Sequence, residues 1–316
     1  MSDTATQPTV AKRHRRKKTI KDWGPPLLLI SPSLVLVAFF VYGLIGTNIY
    51  TSLLNNHTPA QVSGIEPVHF VGLDNFVKLF QDPDFIWSLR NLIIFTVVFL
   101  AGTMFFGFLL AWLMEKPIRG DGFFRAVYMF PMAVSFIASG VVWRWMLNSG
   151  TGDNASGLNR LFQSMHLGFL ENEWIGSMKW GILAIAVPAI WQLSGYIMAL
   201  FLAGFRGIPD DLREAARVDG ATEWKMYRHI IFPQLAPVAL SAVIIVGHMS
   251  LKSFDLIMAI TSQNWYQTMV PAIEMYNSMT VSDYSTAAAI GTVLLLIVAI
   301  LVVPYLIFDA RKQRGR

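Results

Sequence analysis

Three ionisable side chains occur within one apolar stretch of the sequence and could bind a polar solute. His248, Lys252 and Asp255 follow one another at intervals of about one helical turn. Lys252 and Asp255, at positions i and i+3, could form an internal ion pair or line a path for the solute. Ionisable groups are costly inside apolar helices and are functional candidates by default, although His248 also fits a hydrogen-bonded core histidine. The sequence leaves these structural and functional interpretations open.

A second polar cluster surrounds Gly195 and combines indole, amide and hydroxyl groups. Its members are Trp191, Gln192, Ser194 and Tyr196. Sugars are bound through hydrogen bonds to their hydroxyl groups and through contact with aromatic faces, which these residue types supply. A glycine inside a helix either lets a neighbour pack closely or leaves room for a ligand. The cluster is therefore a candidate substrate path, with ordinary helix packing as the alternative.

The elements that position these residues are indicated by the composition. The chain has 316 residues, of which 54% are hydrophobic and 14% are charged, and its mean hydropathy is +0.48. Soluble domains contain about 25% charged residues, so the composition argues against a soluble enzyme, a disordered chain and a nucleic-acid binder. Cysteine is absent, which excludes disulfides, cysteine-ligated metals and thiol catalysis. No catalytic or metal-ligating set is predicted.

Stretches without charged residues predict six membrane-spanning helices. A spanning helix needs about 20 mostly apolar residues, and charge-free gaps of that order recur along the chain. The predicted spans are 27–49, 91–114, 126–147, 180–205, 235–260 and 286–308. The first is too long for the core of a signal peptide and is expected to be retained. The sequence thus predicts an all-α, polytopic membrane protein with six transmembrane helices.

The distribution of positive charge predicts the orientation of these helices. Nineteen of the 25 lysine and arginine residues lie in the N-terminal tail, in the loops 115–125 and 206–234, and in the C-terminal tail. Positive residues accumulate on the cytoplasmic side, and six spans place these four regions there, so both termini are predicted to be cytoplasmic. The basic cluster at 12–18 is expected to contact anionic membrane lipid, and no nucleic acid. The predicted divisions are a basic cytoplasmic tail (1–22), the first transmembrane helix with its outer loop (23–89), and a core of five helices (90–316).

The loop 206–234 has the sequence pattern of two short helices joined by a turn. Pro209 precedes two acidic residues, which is typical of a helix start. Gly220 allows a tight turn, and Thr222–Ile231 form the predicted second helix, which Pro233 and Pro237 are expected to end before the next span. The loop is therefore predicted to be a surface helix–turn–helix that docks into a partner.

The spacing of residues in this loop resembles the EAA loop of ATP-binding-cassette (ABC) importer permeases. Glu214-Ala215-Ala216 is followed, after three residues, by Gly220. Nine residues then precede Ile230, and one residue separates Ile230 from Phe232-Pro233. The family pattern has leucine where this chain has Phe232. In that family the loop forms coupling helices that sit in a cleft of the ATPase subunit, and the resemblance implies the type I ABC importer permease fold. The residues that it places at the ATPase contact are Glu214, Ala215, Ala216, Asp219 and Gly220.

Other segments are similar to carbohydrate-uptake permeases of the maltose-type first-subunit group. These segments are 70–91, 128–148 and 190–209. Two further segments, 248–261 and 301–314, are more narrowly similar to permeases for glucose/mannose, α-glucosides and glucosylglycerol. The resemblance implies a multi-pass protein of a prokaryotic inner membrane. It also implies a second homologous permease subunit, an ATPase dimer that binds ATP and Mg, and an extracytoplasmic sugar-binding protein, with no cofactor in this chain. The implied substrate is a glucose-like monosaccharide or an α-glucoside, with a longer oligosaccharide or a polyol-like solute as the alternative. Many relatives have a GGP turn after the fifth span, where this chain has SQNWYQ.

Two other functions fit parts of the sequence less well. A membrane-embedded transferase would need acids and bases that converge. The acids of this loop lie at spacings that do not converge: Asp210, Asp211, Glu214 and Asp219. An ion-coupled secondary transporter could use Lys252 and Asp255 as a relay, but the loop 206–234 would then have no purpose. The chain has no GxxxxGK[ST] phosphate-binding loop, so ATP hydrolysis is expected in a partner subunit.

Overall fold

The computed structural model describes residues 24–116, 119–262 and 266–314. Within these residues the structure is helical, apart from one isolated antiparallel bridge between Leu54 and Phe70, so the all-α prediction is confirmed. The chain forms two units, Met1–Asn48 and Ile49–Arg316. The predicted basic tail at 1–22 and the middle of the SQNWYQ segment lie outside the described residues.

The first unit contains most of helix α1 (Leu28–Thr51), which confirms the first predicted span. Large apolar side chains on this helix are exposed, including Leu29 at 83% and Phe39 at 70%. Exposed apolar side chains suit contact with lipid, because a helix satisfies its own backbone hydrogen bonds. The described part of the first unit thus has the properties of a lipid-facing helix.

The second unit contains short helices between long apolar ones. They are α2 (Pro59–Val62), α3 (Asp74–Gln81), α4 (Pro83–Leu113), α5 (Asp121–Ala133), α6 (Phe136–Met146), α7 (Gly157–Ser164), α8 (Gly181–Arg206), α9 (Asp210–Val218), α10 (Glu223–Leu251), α11 (Phe254–Thr261), α12 (Pro271–Thr280) and α13 (Tyr284–Arg314). Five described helices, α1, α4, α8, α10 and α13, are long and apolar enough to cross a membrane, and α5 with α6 makes a sixth span if the pair is counted as one.

The third predicted span is not a continuous helix. Helices α5 and α6 meet at an angle of 92°, because Val134 is extended (ψ 136°) and Ser135 caps the start of α6, where its hydroxyl accepts from the Ala138 N–H at 3.3 Å. The Val134 carbonyl, which no longer has a helical partner, accepts a hydrogen bond of 2.7 Å from the Gln192 side chain of α8. The apolar run 126–147 predicted the location of the span but not this interruption.

The fifth predicted span also differs from the structure. Helix α10 begins at Glu223 and ends at Leu251, so Pro233 and Pro237 do not break it as predicted. A π-helical segment at Tyr227–Ile231 precedes Pro233, which occupies one of the first two positions of the α-helical stretch that follows. The Phe232 N–H already donates to the Tyr227 carbonyl, five residues back, so the α-helical hydrogen-bond pattern is interrupted at the residue before the proline, which has no N–H to donate. The predicted continuation to residue 260 is a separate helix, α11.

The core of the second unit lies between α4 and α8, which share the most extensive contact. A Cβ atom added at Gly102 or Gly107 of α4 would lie 2.3 or 2.6 Å from Ile190 or Ile197 of α8. Small residues at these positions therefore allow the two helices to approach closely. Helix α4 is in this way tied to the helix that contains the Trp191–Tyr196 cluster.

Candidate functional sites

The predicted helix–turn–helix is present in the structure. Helix α9 begins after Pro209, and its end is closed by a hydrogen bond of 2.9 Å from the Ala221 N–H to the Ala216 carbonyl. Gly220 lies between them with φ +72°, a left-handed conformation that glycine adopts without a steric penalty. The Thr222 side chain then caps the start of α10. The turn thus fixes the direction of α9 relative to α10.

Four of the five residues assigned to a partner contact lie on an exposed surface. Glu214, Ala215, Asp219 and Gly220 are exposed, whereas Ala216 is only 6% exposed and packs in the core. The opposite faces of α9 therefore have different roles. One is available to a partner, and the other attaches the helix to the rest of the protein.

The attachment of α9 depends on a buried acidic residue that the sequence analysis missed. Glu115 follows the end of α4 and has a side-chain exposure of 7%. It forms an ion pair with Arg213 of α9 and accepts a hydrogen bond from the hydroxyl of Tyr227 in α10. The available signal was a carboxylate placed directly after an apolar helix, where the helix dipole disfavours negative charge.

Lys252 and Asp255 line a small cavity and do not form an ion pair with each other. Helix α10 ends at Leu251 and α11 starts at Phe254, so the two residues lie on either side of a break, and no ion pair among the described residues joins them. Both line a cavity of about 210 Å³, together with Ser253 and with side chains of α4, α6 and α8. The pairing interpretation is therefore wrong in this structure, and the two charged groups are available to the cavity.

His248 lies one turn before Lys252 and is partly buried. Its Nδ1 atom is buried without a hydrogen-bond partner in the described part of the chain. At this nitrogen the structure therefore does not support the interpretation of His248 as a hydrogen-bonded core histidine. Two residues further on, Ser250 accepts a hydrogen bond of 3.0 Å from Thr96 of α4. His248 thus differs from its neighbour Ser250, which is fully engaged in helix packing.

Trp191 and Ser194 line a second, larger cavity. It measures about 600 Å³ and is lined by apolar side chains of α4, α5 and α8, with Tyr128 and Gly195 among them. A Cβ atom at Gly195 would lie 2.0 Å from the Tyr128 carbonyl oxygen, so this glycine serves close packing of α5 against α8. The structure therefore supports both interpretations of the cluster, a cavity wall and a packing contact.

Gln192 and Tyr196, the other two members of the cluster around Gly195, line neither cavity. Gln192 is 1% exposed. Its amide nitrogen donates to the Val134 carbonyl at the break between α5 and α6. Its Oε1 atom is buried without a hydrogen-bond partner in the described structure. The Tyr196 ring packs against the core. No group of three or more His, Asp or Glu side chains within the described ranges is placed to hold a metal ion.

A partly buried carboxylate, that of Glu274, lies near the Pro83 end of α4. Burial raises the pKa of Glu274, in α12, to about 7; the hydrogen bond from Ser88 lowers it, and the charges of Asp82 and Asp84 raise it. The Ser88 hydroxyl lies 2.7 Å from Glu274 Oε2 and 2.8 Å from the Phe85 carbonyl oxygen. One hydroxyl proton cannot serve both acceptors. A protonated Glu274 resolves this conflict by donating to Ser88.

Comparisons with known proteins agree with the observed helices. Residues 103–314 match the sequence model of a family described as "Binding-protein-dependent transport system inner membrane component". A probable ABC transporter permease of Pyrococcus horikoshii is 38% identical, over 91% of this chain and 96% of the relative. A xylose/arabinose import permease of Haloferax volcanii is 31% identical, over 93% of this chain and 88% of the relative.

Two further similarities concern transport of carbohydrates. An α-glucoside transport system permease of Rhizobium meliloti is 29% identical, over 96% of this chain and 85% of the relative. The structure is also similar to a chain of a bacterial alginate ABC transporter in complex with an alginate pentasaccharide-bound periplasmic protein, with a TM-score of 0.73 and 20% identity over 90% of this chain and 93% of that chain. The structural similarity shows the same fold.

Proposed function

The chain belongs to the family of inner-membrane components of binding-protein-dependent transport systems, and on this premise we propose that α9 couples it to an ATPase. As a member it is a multi-pass permease subunit of an ABC importer, and it is not an enzyme, since ATP hydrolysis takes place in a separate subunit. An ion-coupled transporter and a membrane-embedded transferase do not agree with that membership.

The observation that carries the coupling proposal is the two-sided character of α9. Its buried side is held by Arg213 and Ala216, while Glu214 and Asp219 extend into solvent. A solvated loop needs no such anchoring, whereas a helix that receives force from a partner does. We assign the exposed face, with Ala215 and Gly220, to the ATPase contact. ATP and Mg bind to the ATPase dimer, and this chain holds no cofactor.

The same proposal sets the orientation and the partners of the chain. The α9–α10 turn and both termini face the cytoplasm of a prokaryote, and the Glu274 end of α4 faces outward toward an extracytoplasmic sugar-binding protein. A second, homologous permease covers part of the exposed apolar helix surface and completes the translocation path. The rest of that surface contacts membrane lipid.

The substrate is a sugar, with a glucose-like monosaccharide or an α-glucoside first and a longer oligosaccharide or a polyol-like solute second. Support comes from relatives that are named for xylose/arabinose and α-glucoside transport and from the residue types at the two cavities. The proposed path includes Lys252 and Asp255 at the smaller cavity and Trp191 and Ser194 at the larger. We place Gln192, Tyr196 and His248 beside this path, where they position its walls. Uptake of labelled glucose and of an α-glucoside by the reconstituted importer would separate the first two candidates.

A charge reversal on the exposed face tests the coupling proposal. We expect Glu214→Arg to insert normally into the membrane but to lose the ATPase subunit on affinity purification, with sugar uptake reduced about a hundredfold, because a longer side chain of opposite charge would stand in the proposed contact. Glu173→Arg is the matched control, since Glu173 is exposed in a different loop. Wild-type ATPase recovery and uptake in Glu214→Arg would refute the assignment of α9.

A further inference from the structure

We propose that Glu115 is a positioning residue that makes α9 and α4 move as one body, so that motion of the ATPase reaches the cavities through α4. The proposal rests on the docking of α9 proposed above. It adds a route for the motion and names the buried ion pair on which that route depends.

The position of Glu115 is unfavourable unless the residue has a specific partner. It lies two residues beyond Leu113, the last residue of α4, which is 31 residues long. The carbonyl end of a helix disfavours negative charge, and burial disfavours it further. A carboxylate is stable in this place only because Arg213 supplies a positive charge and Tyr227 a hydrogen-bond donor.

The two carboxylate oxygens connect three separate elements. Oε1 contacts Arg213 of α9, and Oε2 accepts from the hydroxyl of Tyr227 in α10. A separate ion pair joins two other helices: Arg206 at the end of α8 lies 3.5 Å from Asp121 at the start of α5. Glu115 is thus the point at which the end of α4 joins both arms of the helix–turn–helix.

The side of α9 that Glu115 holds lies opposite the proposed ATPase contact. Arg213 has a side-chain exposure of 17%, compared with 60% for Arg217 in the same helix. Arg217 meets Glu223 at 3.8 Å in a solvent-exposed pair, which adds little rigidity. A force on the exposed face can therefore reach α4 through Arg213, but not through Arg217.

Helix α4 extends from this contact to both cavities. Phe99 lines the cavity that contains Lys252 and Asp255, and Phe106 and Leu110 line the larger one. Thr96 also donates a hydrogen bond to Ser250 of α10. A displacement of the Glu115 end of α4 would therefore change the walls of both cavities, which is the change that alternating access requires.

Glu115→Gln in the complete reconstituted importer tests this role. The amide keeps the shape and removes the charge. We expect the ATPase to co-purify as in the wild type and to hydrolyse ATP, while sugar uptake per ATP hydrolysed falls about tenfold, a change typical of a lost coupling between sites. Lys78→Gln is the control because it breaks an exposed pair with Asp74 elsewhere. Uptake per ATP within twofold of wild type would overturn the proposal.

A cysteine pair gives an independent measurement, since the native chain has no cysteine. In Glu115→Cys/Arg213→Cys we expect low uptake before treatment and recovery after a short bifunctional thiol reagent joins the two positions, because the link restores the single body. Absence of recovery in fully linked protein would overturn the proposal. The two proposals fail differently: loss of ATPase binding follows from Glu214→Arg, whereas the Glu115 variants keep the ATPase bound.

Discussion

A carboxylate group from outside α4 lies at each end of this helix, and the surroundings of the two carboxylates differ. At the Leu113 end, Glu115 meets the Arg213 guanidinium and the Tyr227 hydroxyl. At the Pro83 end, Glu274 meets the Ser88 hydroxyl, and among the described residues it forms no ion pair. The charges that act on its pKa, on Asp82 and Asp84, are of the same sign.

This difference indicates how each end can move. A buried ion pair resists separation, because parting leaves an uncompensated charge in a poorly solvated place. A carboxyl group held by a hydroxyl changes its hydrogen bonds whenever its proton leaves. The Glu115 end is therefore suited to transmit force, while the Glu274 end is suited to release and re-form contacts. Three measurements can test this contrast.

The largest effect is expected at the Glu115 end. Arg213→Met removes the positive charge and leaves the Glu115 carboxylate buried, which should lower the free energy of unfolding by about 3 kcal/mol. Unfolding of the purified chain by sodium dodecyl sulfate in detergent micelles would measure the loss. A long methionine side chain keeps most of the packing volume, so the loss reports on charge.

Arg217→Met is the matched control for that variant. It removes the same type of side chain from the same helix but breaks only the exposed pair with Glu223, so a loss of about 0.5 kcal/mol is expected. Equal losses in the two variants would mean that the Glu115 contact is no stronger than a surface pair, and the contrast between the ends of α4 would disappear.

The general course of the chain could be predicted from its charges, but the interruptions of its helices could not. Charge-free gaps identify apolar segments, and five long helices and one bent pair occupy the predicted places. Ser135 is a local helix-start signal at the break, but the Gln192 amide that donates to the freed Val134 carbonyl is 58 residues away, and no local pattern reveals that contact. Pro233 misled the prediction because the preceding π-helical segment places it at a tolerated position.

The candidate sites were predictable to different degrees for the same reason. The spacing from Glu214 to Gly220 is local, and it correctly predicted a helix, a turn and an exposed face. The Glu115 contact joins residues 112 positions apart in the case of Tyr227, and sequence alone gives no such pairing. Lys252 and Asp255 were correctly singled out as charges in an apolar region, but the ion pair that was one of their two interpretations assumed a continuous helix.

A smaller, pH-dependent effect is expected at the Glu274 end. The pKa of this carboxyl is about 7 in the folded protein, compared with an ordinary value of 4.5. Between these values the folded state holds a proton that the unfolded state has lost, so the stability falls as the pH rises. We expect a decrease of about 2 kcal/mol between about pH 5 and pH 8.

Glu274→Gln should remove this decrease, because the amide does not titrate. The variant is expected to match the wild type near pH 5 and to exceed its stability near pH 8 by about 2 kcal/mol. Unfolding curves at several pH values would measure both, with Glu173→Gln, at an exposed position, as the control that keeps the wild-type slope. A Glu274→Gln chain with an unchanged slope would contradict the assignment of the proton to Glu274.

The smallest effect concerns the turn that sets the direction of α9. Gly220→Ala should lower the free energy of unfolding by about 1 kcal/mol, because alanine is strained at φ +72°. A Cβ atom there would have no neighbour within 4 Å, so backbone strain alone produces the loss. Gly220→Asn should recover part of the stability, since asparagine tolerates the left-handed conformation.

Gly220→Ala and Glu115→Gln together separate the contribution of the turn from that of the ion pair. If the Glu115 contact holds α9 more firmly than the turn does, Gly220→Ala should reduce sugar uptake per ATP less than Glu115→Gln does, because Arg213 remains attached to α4. The reverse order would show that the turn, rather than the buried ion pair, carries the motion of the ATPase. The contrast between the two ends of α4 would then describe stability and not transport.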